Sequence, residues 1–184
     1  ANGPMTDGLY ISQDPVLDNA DLLIGQFMGN VNIIPGTSVN RQLNVEIPGV
    51  ADGQYYLIAV ADVKNNINET NDTNNSLATP QLIQIQMQPL YVDYLQLDTL
   101  SNGEFIYYKL ELDDTLLGET VLITLLGDSL NGNNEMFVGF NRAPSRIVYD
   151  RRSPYNFEGN QEVVIPQVMP GNYYLMVTGN TTSS

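Results

Sequence analysis

The sequence predicts an all-β protein, and three observations carry that prediction. Apolar residues recur at every second position in several runs, most clearly in "RQLNVEI", where Leu43, Val45 and Ile47 share one face. Clusters of Gly, Pro, Asn and Asp, such as "IPGTS", "IPGVADG", "SNGE", "LNGNNE" and "MPGN", punctuate these runs at the spacing of β-sandwiches. Helical periodicity, by contrast, is scarce, and β-branched and aromatic residues are frequent.

Strands are expected first at 7–12 and 22–28, on either side of the acidic turn "SQDPVLDNAD". The alternation above gives 39–47, and the continuous apolar run "YYLIAV" gives 54–61. "QLIQIQM" gives 79–87, with Leu82, Ile85 and Met87 packing and Gln84 and Gln86 facing away, although Ile83 breaks the strict pattern. "YVDYLQLD" gives 91–98. "EFIYYKLEL" gives 104–112, with Ile106, Tyr108, Leu110 and Leu112 as the core face. The remaining strands are expected at 119–126, 135–140, 146–149, 160–166 and 172–178.

One motif occurs twice. "IPGVADGQYYLIAV" and "IPQVMPGNYYLMVT" share the frame I-P-x-V followed by G-x-Y-Y-L, anchored at Gly53 and Gly171. Each copy reads as an alternating strand, a proline stop, a glycine turn and a returning strand. One copy closes each half of the chain. That pattern implies two β domains in tandem, 1–88 and 89–184, joined at Gln88-Pro89-Leu90.

The composition removes whole classes of chemistry. The 184 residues contain no Cys, His or Trp, which excludes thiol nucleophiles, Ser-His triads and most zinc sites. The formal charge of −14 argues against a nucleic-acid partner. It is shared evenly, since each side of Pro89 carries −7. No run of ~18 apolar residues is present to span a membrane. The chain starts at Ala1 without a signal peptide, and is expected to be a mature product or part of something longer.

The polar tract "ADVKNNINETNDTNN" has three readings. Asn and Asp accept left-handed backbone and bond their own chain, so the tract reads foremost as a long turn after the preceding strand. Asp62, Glu69 and Asp72 with the Asn carbonyls offer oxygens to Ca²⁺. Asn68, Asn71 and Asn74 head glycosylation sequons.

The first half resembles the cell-adhesion-related domain found in bacteria, CARDB. The resemblance rests on Tyr10, Ser12, Asp14, Asp18 and Asp21, then Gly53 to Ile58, Ala61-Asp62, Glu69 and Asn74-Asn75, over about residues 7 to 87. It implies an immunoglobulin-like sandwich of extracellular bacterial proteins, without catalysis. The first half offers only about five strands against the seven of a constant-type sandwich. Its first strand or strands are therefore expected to lie upstream in a longer parent, or to arrive by strand addition from another chain. The second half resembles the bacterial pre-peptidase C-terminal domain, PPC, through Met136 to Val138, Ala143-Pro144, Tyr149-Asp150 and Pro170 to Gly179. That likeness implies a jelly-roll-like sandwich that supports attachment, solubility or secretion.

Three constellations remain. Asp14, Asp18 and Asp21 are the candidate metal ligands, for Ca²⁺, weighed against a reading in which they shape turns and caps. Arg142, Arg146, Arg151 and Arg152 gather four of the seven bases. They are read as pairing with Asp150, Glu158 or Glu162, against a reading in which they grip an anionic polymer. Tyr56, Tyr107 and Tyr174 are placed outward, as shields of a sheet face or as a stacking surface for sugars. Asp113-Asp114 makes a poor glycosidase pair, because neighbours on a strand point to opposite faces.

The expectation is thus an all-β chain of two β-sandwich domains in tandem, immunoglobulin-like then jelly-roll-like. It is a non-catalytic segment of a larger bacterial surface or secreted protein, located at the cell surface or outside the cell, and acting in adhesion, spacing or assembly. The alternatives are an accessory module of a secreted hydrolase that binds carbohydrate or protein, and a filament subunit completed by a neighbour's strand. Expected partners are other domains or chains of a surface assembly, by strand addition at the first domain, or polysaccharide. Ca²⁺ is the one cofactor considered.

Overall fold

The computed structural model describes residues 1–127, 132–155 and 158–181. The fold is all-β, with strands taking 45% of the described residues. Among the described residues the one helical element is a single 3₁₀ turn at Asp114–Leu116. Two compact units form. One comprises Ala1–Pro48 and Asp52–Ile85; the other comprises Gly49–Ala51 and Gln86–Ser184.

The first unit is one sheet. Strands β1 (Asn2–Ser12), β2 (Leu22–Asn32), β3 (Gly53–Val60) and β4 (Ser76–Ala78) lie in the order β2-β1-β3-β4, and β5 (Ile83–Ile85) pairs with the start of β3. All these pairs are antiparallel, and the β1–β2 ladder shifts register between Leu9 and Tyr10. β1 and β2 run five and four residues beyond the expected limits at one end, because Gly, Pro and Asn at the start of β1 still pair with β2. Ile11, Val31, Tyr55, Ile58, Val60 and Ile67 are buried.

The second unit is a sandwich. Its larger sheet contains β6 (Gln88–Leu90), β7 (Phe105–Leu112), β9 (Gly132–Phe140), β10 (Arg151–Arg152) and β12 (Gly171–Thr181), in the order β10-β9-β12-β7-β6. Facing it is the antiparallel pair β8 (Val121–Leu125) and β11 (Gln161–Ile165). The expected core face of β7 is the observed one: Tyr108, Leu110 and Leu112 join Met136, Val138, Tyr173, Leu175 and Val177 against Val163 and Ile165, with Val121, Ile123 and Leu125 packed on them.

Four expected elements differ. Segment 39–47 belongs to no ladder, and neither does 91–98, which opens in a turn where the Tyr94 amide bonds Tyr91 O at 3.3 Å and Asp93 takes left-handed backbone, φ 58°. Segment 79–87 holds only the three residues of β5, since Pro80 withholds an amide hydrogen before it. The expected 146–149 strand is a loop, and the pairing with β9 comes later, at Arg151–Arg152. Gln88-Pro89-Leu90 is not a bare junction either. It is the edge strand β6, parallel to β7, a position that tolerates proline. Of the turn "LNGNNE", Leu130 and Asn131 lie outside the described residues.

Candidate functional site

The acidic loop between β1 and β2 is held by its own carboxylates. Asp14 Oδ1 accepts from the Val16 amide at 2.8 Å, Asp18 Oδ1 from Ala20 at 2.7 Å, and Asp21 Oδ2 from Asp18 at 2.8 Å. Each aspartate thus has one oxygen engaged by backbone, as turn-forming Asp does. Asp14 and Asp18 are exposed and Asp21 is half-buried. Among the described residues no group of three or more acidic, His or Cys side chains is gathered tightly enough to hold a metal ion.

The Asn-rich tract is a stitched loop. The Ala61 amide bonds Asn75 O at 2.7 Å, closing the loop at its neck, and the Val63 amide bonds Thr6 O at 2.8 Å, tying it to β1. Asp62 and Asn65 take left-handed backbone, φ 46° and 49°, a conformation these short polar side chains tolerate. Asp62 is buried, receives the Ile67 amide on Oδ2 at 2.7 Å, and lets Ile67 plug the sheet. Further on, Asn71 Oδ1 accepts from the Thr73 amide at 3.0 Å in a small Asx turn. Asn68, Asn71 and Asn74, the sequon heads, are all exposed.

The arginines separate. Arg142 pairs with Asp150, as expected, whereas Arg146 pairs with Glu135 at 2.8 Å and reaches Thr178. Arg151 and Arg152 form β10. Both ion pairs are half-exposed, so each contributes about 0–1 kcal/mol. Asp113 caps the 3₁₀ turn: the Thr115 hydroxyl and amide hold its carboxyl below the usual range.

The outward tyrosine surface does not form. Tyr174 is 3% exposed, Tyr56 and Tyr107 are half-buried, and the Tyr107 hydroxyl contacts Met176 Sδ at 3.2 Å. The alternation rule failed here because both faces of β12 are covered, so both members of the Tyr173-Tyr174 pair are buried. The exposed aromatic pair lies elsewhere, in a window read only as a strand. Tyr91 and Tyr94, 65% and 68% exposed, meet edge to face at 6.4 Å. They stand on the rim of a cleft of about 890 Å³ in the second unit, beside Asp93, Gln96 and Glu119 and above Tyr108, Leu110 and Leu175. Their own spacing carried the only available signal: at i and i+3 they do not obey the period of a strand.

In the first unit the extended segment after β2 lies on the sheet. The Arg41 guanidinium sits 4.3 Å from the Phe27 ring centroid and 3.4 Å from Asp7. Leu43 and Val45 fill the space over Gly25, where a Cβ would collide with both. The expected face of this segment is therefore right for Leu43 and Val45, while Ile47 is 43% exposed.

Comparison with known proteins gives one family. The CARDB family model matches residues 1–79. This is a non-catalytic domain family, often found in bacterial surface or extracellular proteins. No family match confirms a PPC-like second half. No curated protein and no solved structure matches the chain. No helix among the described residues is long and apolar enough to cross a membrane.

Proposed function

We propose that the chain is a non-catalytic, extracellular segment of a larger bacterial surface or secreted protein, acting in adhesion, spacing or assembly. The observation that carries this reading is the CARDB match over residues 1–79, on a unit built as one antiparallel sheet. The second unit, taken as a PPC-like support domain over 89–184, follows in tandem. Its sandwich core is suited to a stable spacer. The test is location. Antibodies raised against the chain label intact cells or the culture medium of the source bacterium on this reading. A signal confined to the cytosol removes it.

A second reading, a carbohydrate-binding accessory module, is favoured by the Tyr91–Tyr94 pair on its cleft rim. Aromatic faces with nearby amide and carboxylate groups suit neutral sugars. Retention on insoluble glycans that is lost in Tyr94→Ala supports it, and no retention on any glycan counts against it.

Calcium at Asp14, Asp18 and Asp21 belongs to the same proposal. The ion would have to draw the three carboxylates together, through the oxygens that the turn leaves unbonded to backbone. A rise in Tm with Ca²⁺ over chelator supports this, and superimposed melting curves remove it.

A further inference from the structure

The repeated motif allows the two units to be compared position by position. Ile47, Val45, Gly53, Tyr55, Leu57 and Ala59 in the first copy correspond to Ile165, Val163, Gly171, Tyr173, Leu175 and Val177 in the second. Both returning strands, β3 and β12, begin at the shared glycine and lie inside their sheets. Tyr55 and Tyr173 are 5% and 6% exposed, so the two copies start alike.

They then diverge on one face. In the second copy the segment before the proline is β11, laddered to β8, and Val163 and Ile165 are 2% and 3% exposed. Beneath them Leu175 and Val177 are 1% and 7% exposed. In the first copy the corresponding segment, 41–47, has no ladder partner and no backbone hydrogen bond among the described residues. Ile47 is 43% exposed, Leu57 is half-buried and Ala59 is exposed.

The register shows where the cover ends. Gly25, Leu9, Ala59 and Leu77 lie opposite one another across β2, β1, β3 and β4, so they share a face. Leu43 and Val45 cover the Gly25 end. Leu9 is half-buried, and at the far end Leu77 is 76% exposed. What is present in the second unit and lacking here is a counterpart of β8.

We infer that the first unit accepts an extended strand from another polypeptide, which ladders onto segment 41–47 and covers Leu57, Ala59 and Leu77. The occupant's chemistry follows from the acceptor. Unpaired strand backbone calls for a polypeptide backbone, which neither a sugar nor a lipid supplies. The apolar row calls for apolar residues at alternate positions, as Val121, Ile123 and Leu125 provide in β8. The half of the chain before Pro89 carries −7, so the residues between should be neutral or basic. A second copy fits poorly, because copies repel and the β8 that would serve is already laddered to β11. The inference rests on the assembly branch of the reading above. Its failure would leave surface location, which is tested separately, intact.

The probe is a synthetic peptide with the sequence of residues 120–126, made soluble by terminal lysines, added to the full chain. The inference expects binding, a rise in Tm with peptide concentration, and slowed amide exchange across 41–47. A peptide with N-methylated backbone at alternate residues should lose the binding, because it cannot ladder. Leu77→Ser, at a 76% exposed site that the fold does not need, should weaken binding about tenfold. Several results overturn the inference: no binding, protection confined to the second unit, or equal binding of the N-methylated peptide. So does protection of 41–47 in the dilute chain alone, or protection that grows with chain concentration, since these mean the chain or its copy already fills the place.

Discussion

Asp62 Oδ2 accepts the Ile67 amide at 2.7 Å, and both residues are buried. This bond makes the Asn-rich tract a structural loop. The residue that carries it also takes the left-handed backbone at the end of β3 and donates its own amide to Asp7 Oδ1 at 3.2 Å. Asp62→Leu removes the acceptor and places a branched side chain at positive φ, so a loss of about 2–4 kcal/mol is expected in urea denaturation. Asp62→Asn keeps one acceptor oxygen and tolerates the backbone, and should lose about 1 kcal/mol or less. Equal losses would show that the bond is incidental.

The two copies of the I-P-x-V motif make a matched pair for a second prediction. Ile165→Ala empties a site 3% exposed in a closed sandwich and should destabilise the second unit by about 2–4 kcal/mol. Ile47→Ala acts at a site 43% exposed and should lose under about 1 kcal/mol. Denaturation of each variant, with amide exchange resolving the units, checks this. Similar losses at the two isoleucines would mean that Ile47 is covered in solution.

Gly25 supports a third. A Cβ there meets Leu43 and Val45, which are side-chain ends on a segment without ladder bonds, so the segment should lift before β2 deforms. Gly25→Val is expected to reduce stability by about 1–3 kcal/mol. It should also speed tryptic cleavage after Arg41, whose guanidinium is now held by Phe27 and Asp7. Unchanged cleavage would place the segment's anchor elsewhere.

The sequence made strand existence legible wherever alternation met a partner, as in β7, whose inward face is the expected one. It failed where alternation alone was present. "RQLNVEI" has the pattern of a strand and the right face for Leu43 and Val45, but a ladder is a property of two segments, and no local pattern shows that the second is lacking. The shortfall was readable only by counting strands. Tyr174 misled for a related reason: the inside–outside rule assumes one wet face, and β12 has none. The turn roles of Asp14 and Asp18 were legible because Asx turns are local. The Tyr91–Tyr94 rim was not, because its cleft is walled by β8 and by residues far off in sequence.

Tyr108 supplies a pH test of the second sandwich. Its ring lies in the core and its hydroxyl donates to Asp98 Oδ2 at 3.0 Å. Burial pushes the phenol well above its ordinary range, and the hydrogen bond to Asp98 and that carboxylate's charge push it further. Burial also raises Tyr107, on the opposite face of β7. In the unfolded chain a tyrosine loses its proton near about pH 10, so above that pH the unfolded state holds fewer protons than the folded one. The stabilisation is therefore fully present below about pH 10 and is lost as pH rises through the window between the unfolded and folded values. Tyr108→Phe cannot ionise. It should start less stable at neutral pH, because Asp98 loses the phenol donor, yet its stability should fall less steeply above about pH 10, Tyr107 retaining its own share of the slope. Denaturant midpoints measured from neutral to strongly alkaline pH decide the matter, and parallel curves for the two proteins would show that Asp98 and the core do not hold this proton.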